Sequence, residues 1–175
     1  MINTLTIIGT RPEAVKMAPV VQTLEKEPGI NSRICVTAQH RQMLDQVLNI
    51  FGVIPEFDLD LMRQNQSLAQ ITGSIFTHLD PILSQVKPDW VLVQGDTTTT
   101  MASSIAAYYH KIRVAHVEAG LRTKDKWQPF PEEINRKITS VVTDLHFAPT
   151  MWSRDNLISE GIEFTSIFMF KIYET

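Results

Sequence analysis

The sequence predicts an α/β fold, a Rossmann-like parallel sheet with helices on both faces. Short apolar, β-branched runs alternate with longer segments of helical period along almost the whole chain. Several of these runs stop at a glycine beside a charged or polar residue, at Gly9-Thr10-Arg11, Gly95-Asp96 and Glu118-Ala119-Gly120, as strands do where they hand over to crossover helices. At 175 residues, 43% of them hydrophobic, the chain can build one good core and is too short for two ordinary domains.

Leu5 to Ile8 reads as the first strand. It runs into Gly9-Thr10-Arg11-Pro12-Glu13, where proline suits a first helical turn because its missing N–H has no intrahelical partner there. That helix is expected from Pro12 to Glu27, with Val15, Ala18, Val21 and Leu24 as its sheet-facing stripe. Arg33 to Thr37 follows as a strand and Arg41 to Phe51 as a helix. The stretch Gly52 to Gln66 is weak, read as a short strand near Phe57 to Leu59 and then a loop before a helix from Leu68 to Val86. Trp90 to Gln94 is a buried strand that stops at Gly95-Asp96 before four threonines, Thr97 to Thr100. The next helix, Thr98 to His110, shows Ala102, Ile105, Ala106 and Tyr109 on one side. Val114 to Val117, Glu132 to Val142, Leu145 to Phe147 and Met151 to Ser159 complete the alternation as strand, helix, strand and helix.

A formal net charge of −3, with no cluster of Lys and Arg, argues against nucleic acid and anionic membrane surfaces as partners. No apolar run approaches the roughly 20 residues that cross a bilayer, and Met1-Ile2-Asn3-Thr4 lacks the basic start of a signal peptide. A cytoplasmic location is expected. Cys35, the only cysteine, reads as a packing residue. His116 and Glu118 share a strand face, but two ligands without a third do not make a metal site. No metal and no cofactor is expected.

Ligands of such sheets bind beyond the carboxyl ends of the strands. Arg11, Gln39, His40, Asp96 and Glu118 directly follow strands and converge on that edge. Asp96, Glu118 and Glu132 fit proton transfer, since a carboxyl shielded from water and near others of its kind holds a proton more readily. The alternative for Glu132 is a plain helix-dipole role in the first turn of its helix. Arg11 and Lys16 could meet an anion, with phosphate the obvious candidate. The threonines offer caps or ligand donors. The residues together describe a binder of a phosphorylated small molecule with acid–base chemistry.

Gly9 to Ala14, Gln39-His40-Arg41-Gln42-Met43-Leu44, Gln94 to Thr100, His116 to Thr123 and Pro129 to Arg136 together resemble the non-hydrolysing bacterial UDP-N-acetylglucosamine 2-epimerases. The resemblance implies the N-terminal half of a two-domain GT-B-type fold, with a cleft between two Rossmann-like halves. It implies interconversion of UDP-N-acetylglucosamine and UDP-N-acetylmannosamine by elimination of UDP to 2-acetamidoglucal and re-addition, in supply of cell-surface polysaccharide. Asp96, Glu118 and Glu132 match the catalytic acidic positions, and Arg11 and Lys16 the diphosphate side of the cleft. Gln39, His40 and Gln42 match a loop that holds a second UDP-N-acetylglucosamine as activator, although Asn65 stands where arginine accompanies that use. A homodimer is implied as well.

Residues 1–161 are expected to form the domain. From Ile162 to Thr175 the sequence departs from the resemblance, and this segment is read as an atypical tail from a frameshift or premature stop; the alternative is a true extra strand covering a sheet edge. The second, UDP-binding domain is then absent, and the truncated chain is expected to be inactive alone. Two other readings stay open: a non-catalytic anion- or nucleotide-sugar-binding module, and a hydrolysing epimerase.

Overall fold

The structure is a computed structural model that describes residues 1–37, 41–63 and 65–170. Seven strands form one parallel sheet: β1 (Ile2–Ile8), β2 (Ile30–Val36), β3 (Phe57–Asp58), β4 (Trp90–Gln94), β5 (Arg113–Val117), β6 (Leu145–Ala148) and β7 (Ile167–Met169). The helices between them are α1 (Arg11–Lys26), α2 (Arg41–Phe51), α3 (Leu68–Val86), α4 (Thr98–Tyr109), α5 (Glu132–Val142) and α6 (Met151–Ser159). Strand order is β3-β2-β1-β4-β5-β6-β7. The chain therefore builds outward from β1 to β3, returns through α3, and resumes at β4 on the other side of β1. This reversal between β1 and β4 is where open α/β sheets hold ligands.

Side-chain alternation along the strands divides the core into two layers. Leu92 of β4 joins Ile8, Met17, Val21, Val36 and Leu44 under α1 and α2. Val91 and Val93 join Leu5, Ile7, Leu79, Ala102 and Ala106 under α3 and α4. A sheet covered on both faces explains why its central strands read as continuous apolar runs.

Two sheet-facing stripes differ from the sequence reading. On α1 the buried face is Ala14, Met17, Ala18 and Val21, while Val15 is half exposed. A strict three-residue spacing drifts around a 3.6-residue helix, so the contact follows alternating steps of three and four. On α4, Ala102, Ser103, Ala106 and Ala107 are buried and Tyr109 is 71% exposed, so the face against the sheet is turned toward the small residues and away from Ile105 and Tyr109.

The domain does not end at residue 161. After a 3-10 turn at Phe164–Ser166, β7 pairs with β6 in the register His146↔Ile167, Phe147↔Phe168 and Ala148↔Met169. Ile167 is buried against Ala119, Ala148 and Leu157, and the Phe147 and Phe168 rings lie 5.9 Å apart. The β-branched and aromatic run taken as a tail thus has the composition of an edge strand. Among the described residues no helix is long and apolar enough to cross a membrane.

Candidate active site

Three loops at the carboxyl edge supply the site. In the first, Thr10 caps α1 by accepting from the Glu13 N–H at 3.4 Å, and Glu13 Oε2 accepts from the N–H groups of Gly9 at 2.5 Å and Thr10 at 3.1 Å. This is a complete capping box. Gly9 is obligatory, because a Cβ there would stand 2.5 Å from Thr99 Oγ1. Arg11 is exposed at the helix start, where with Pro12, Val15, Lys16 and Val47 it lines a cleft of about 420 Å³.

The second loop follows β4. Gln94 is buried and its Nε2 donates to Glu118 Oε2. Asp96 accepts on Oδ2 from Arg136 Nη1 at 2.6 Å, and its carbonyl accepts from Asn135 Nδ2 at 2.9 Å. Thr97 caps α4, accepting from the Thr100 N–H at 3.1 Å, and donates its hydroxyl hydrogen to Glu13 Oε1 at 2.7 Å.

The third loop follows β5. Glu118 has φ of 65°, a left-handed conformation uncommon outside glycine. Its side chain is held by Lys16, whose Nζ lies 2.9 and 2.6 Å from the two carboxylate oxygens, together with Gln94. Gly120, at φ of 87°, lets the loop pass Ser153, whose carbonyl oxygen would be 2.2 Å from any Cβ. Glu133 is completely buried and accepts from the Thr123 and Lys124 N–H groups at 3.0 and 3.2 Å and from Arg136 Nη2 at 2.9 Å. Glu132 opens α5, and its Oε2 is buried without a hydrogen-bond partner among the described residues.

The electrostatics join these groups. Burial raises the Asp96 carboxyl above its ordinary value; Arg136 opposes that rise, and the charges of Glu132 and Glu118 add to it. Burial also works to raise Glu133, but the donated bonds from Thr123, Arg136 and Lys124 leave it below the usual carboxylate range. His116, fully buried, is lowered to about 3, first by burial, and its Nε2 donates to the Gly95 carbonyl at 2.7 Å. A neutral imidazole donating through Nε2 leaves Nδ1 as a bare acceptor, and that atom has no partner among the described residues.

Asp96, Glu118 and Glu132 thus fall in one cluster, and Lys16 joins it through Glu118. Arg11 stands on the adjoining cleft wall. Gln39 and His40 lie outside the described residues, as does the side chain of Gln42. Asn65 is exposed and left-handed, at φ of 59°, a conformation asparagine tolerates well. Sequence reasoning missed Glu13, Gln94, Glu133 and Arg136. The Thr10-to-Glu13 spacing announces a capping box and the Glu133-to-Arg136 spacing a helical ion pair, but neither says that the pair reaches the site.

A parallel sheet whose switch-point edge gathers three interacting carboxylates, with cations beside them, defines an open α/β protein of the Rossmann-like class. Comparison with known proteins gives the particular family. The family described as UDP-N-acetylglucosamine 2-epimerase matches residues 22–170. A UDP-N-acetylglucosamine 2-epimerase of Bacillus subtilis is 56% identical over 168 residues, 96% of this chain and 44% of its own length. A Thermotoga maritima relative is 55% identical over 175 residues, 100% of this chain and 45% of its own, so that similarity runs through β7. The crystal structure of UDP-GlcNAc 2-epimerase from Neisseria meningitidis bound to UDP-GlcNAc superposes with a TM-score of 0.94 at 53% identity, covering 96% of this chain and 45% of that one. The chain belongs to the UDP-N-acetylglucosamine 2-epimerase family. Its fold is the N-terminal Rossmann-like half of the two-domain GT-B type, and it spans about half the length of the curated relatives it matches.

Proposed function

We propose that this chain supplies the acid–base half of a cleft that interconverts UDP-N-acetylglucosamine and UDP-N-acetylmannosamine. The observation that carries the reading is the cluster of Asp96, Glu118 and Glu132 with Lys16 at its side. The hydrogen on C2 of the sugar is weakly acidic, and its removal calls for a positioned carboxylate. As the C2–H bond breaks, a C1–C2 double bond forms and the C1–O bond breaks with its electron pair passing to the departing UDP. Return of a proton to the opposite face of C2 and of UDP to C1 completes the epimerisation. Asp96, raised by burial, is suited to hold a proton that the site must return. The Glu132 oxygen without a partner is a free acceptor beside it. Arg11 and Lys16 would face the developing diphosphate charge.

Further parts of the reading rest on family membership. UDP-N-acetylglucosamine as activator would use Gln39, His40 and Gln42, and the protein would act as a homodimer in the cytoplasm.

Mixing the purified chain with the separately expressed C-terminal half of the Bacillus subtilis relative tests the reading. Neither part alone is expected to turn over, whereas the mixture converts UDP-N-acetylglucosamine to UDP-N-acetylmannosamine, and Asp96→Asn in this chain lowers that rate by about a hundredfold or more. A mixture that stays silent while the intact relative is active overturns the proposal. Release of free N-acetylmannosamine would point to a hydrolysing enzyme instead.

A further inference from the structure

We propose that Glu13 is a positioning residue: it locks the β1–α1 loop to the β4–α4 loop across the switch point and so fixes where Arg11 and Lys16 stand against an anion. The inference rests on the reading above, in which those two cations face the diphosphate.

Capping alone does not explain Glu13. A capping-box carboxylate needs one oxygen for the backbone of its own helix, and Glu13 Oε2 meets that need at Gly9 and Thr10. Yet the side chain is 3% exposed and its second oxygen accepts from Thr97, at the start of another helix on the far side of the switch point. Burial raises this carboxyl, while the bonds from Gly9, Thr97 and Thr10 oppose the rise. One carboxylate therefore joins the positive ends of α1 and α4. The seam is fastened nearby by Thr99, whose hydroxyl lies 3.2 Å from Thr37 Oγ1 and which packs against Gly9. Lys16 lies one turn beyond Glu13 on α1 and reaches across the same seam to Glu118. A shift of Glu13 thus moves Arg11 and Lys16 relative to the carboxylates, and displacements near 1 Å are large on the scale of such sites.

Thr97→Asp tests the lock. Aspartate caps helices at least as well as threonine, but it sets a second carboxylate against Glu13. The double variant Glu13→Gln with Thr97→Asp replaces the repulsion with an amide–carboxylate bond. Three quantities are read on the full chain: UDP affinity by calorimetry, hydrogen exchange of the Gly9 and Thr10 amides by NMR, and the thermal midpoint. Thr97→Asp is expected to weaken UDP binding by about tenfold or more and to speed exchange at both amides, with the double variant recovering both. A folded Thr97→Asp chain that binds UDP as the wild type does, whatever its midpoint, shows a merely structural contact and overturns the proposal. If Thr97→Asp does not fold, Thr97→Val removes the hydroxyl at the expense of one cap, and unchanged UDP affinity there overturns it equally. If the wild-type chain itself binds no UDP, the diphosphate reading fails for this chain, and the amides decide the lock separately: faster exchange in the single variant with recovery in the double sustains it, and unchanged exchange refutes it.

Discussion

At the carboxyl ends of β1, β4 and β5, charged side chains are buried or half-buried and share partners, with Arg136 divided between Asp96 and Glu133 and Glu118 between Lys16 and Gln94. At the opposite edge, where α4 hands over to β5, the charges sit on the surface. Asp80, its side chain 70% exposed, meets His110 at 2.8 Å, and Arg113 lies over the Trp90 ring at 4.5 Å. The same sheet carries both edges, so the difference lies in the loops. Exposed pairs are each worth about 0–1 kcal/mol, whereas a buried charge that loses its partner is left uncompensated. The edge that gathers the chemistry is therefore also the edge whose integrity rests on its polar groups.

The sharpest break in this comparison is between two glycines. Gly120→Ala is expected to cost about 5 kcal/mol or to prevent folding, because the new methyl meets the Ser153 carbonyl in a left-handed turn. Gly52→Ala, at φ of 66° beyond the end of α2 and with nothing within 4 Å, should cost only about 1–2 kcal/mol. Urea unfolding of both variants measures the gap, and equal losses would deny the close approach at Gly120. Next comes Glu133→Ala, which takes from Arg136 one of its two carboxylate partners, leaves the Thr123 and Lys124 N–H groups unpaired, and is expected to lose about 3–5 kcal/mol. Asp80→Ala at the other edge should lose less than about 1 kcal/mol.

The last effect, smaller residue for residue than the loss of Glu133, concerns pH. His116 and His146 face each other in register on β5 and β6, lowered to about 3 and about 4, in each case first by burial. Both fall below their ordinary value in the folded chain, so the unfolded chain binds protons first on acidification. Their contribution is present in full above the unfolded value of 6.5 and is lost as the pH falls below it. At pH 5 the loss is about 2 kcal/mol for each histidine. Unfolding free energies measured at pH 7 and pH 5 check this, and His146→Phe should flatten the difference.

Much of this molecule was legible in its sequence, for reasons the elements themselves supply. The helices at Arg41–Phe51, Leu68–Val86, Glu132–Val142 and Met151–Ser159 coincide with their expected spans, since periodicity and turn residues agree there. The first residues of β1 and β2 were missed because Ile2 is exposed and isolated, while Asn3, Asn31 and Ser32 are only partly covered and carry no apolar signal. β7 was read first as a tail and a strand stood only as the alternative, because a three-residue edge element gains its meaning from β6. At the site, Asp96 and Glu118 were singled out because strand ends collect ligand groups, and Glu132 because it opens a helix at the same edge. Glu133 and Arg136 were passed over because their importance is tertiary: a helical i,i+3 pair looks the same in sequence whether it faces water or holds Asp96.

The reversal of strand order gives the chain two blocks, β1 to β3 before α3 and β4 to β7 after it, which meet along the β1–β4 pairing. Lys16 and Glu13 belong to the first block, and Glu118 and Thr97 to the second. Neither block can make these bonds alone. The contact of Lys16 with Glu118 is therefore a reporter of assembly, formed only once both blocks have docked, and a chain split in the loop before Ser67 would recover it only by complementation.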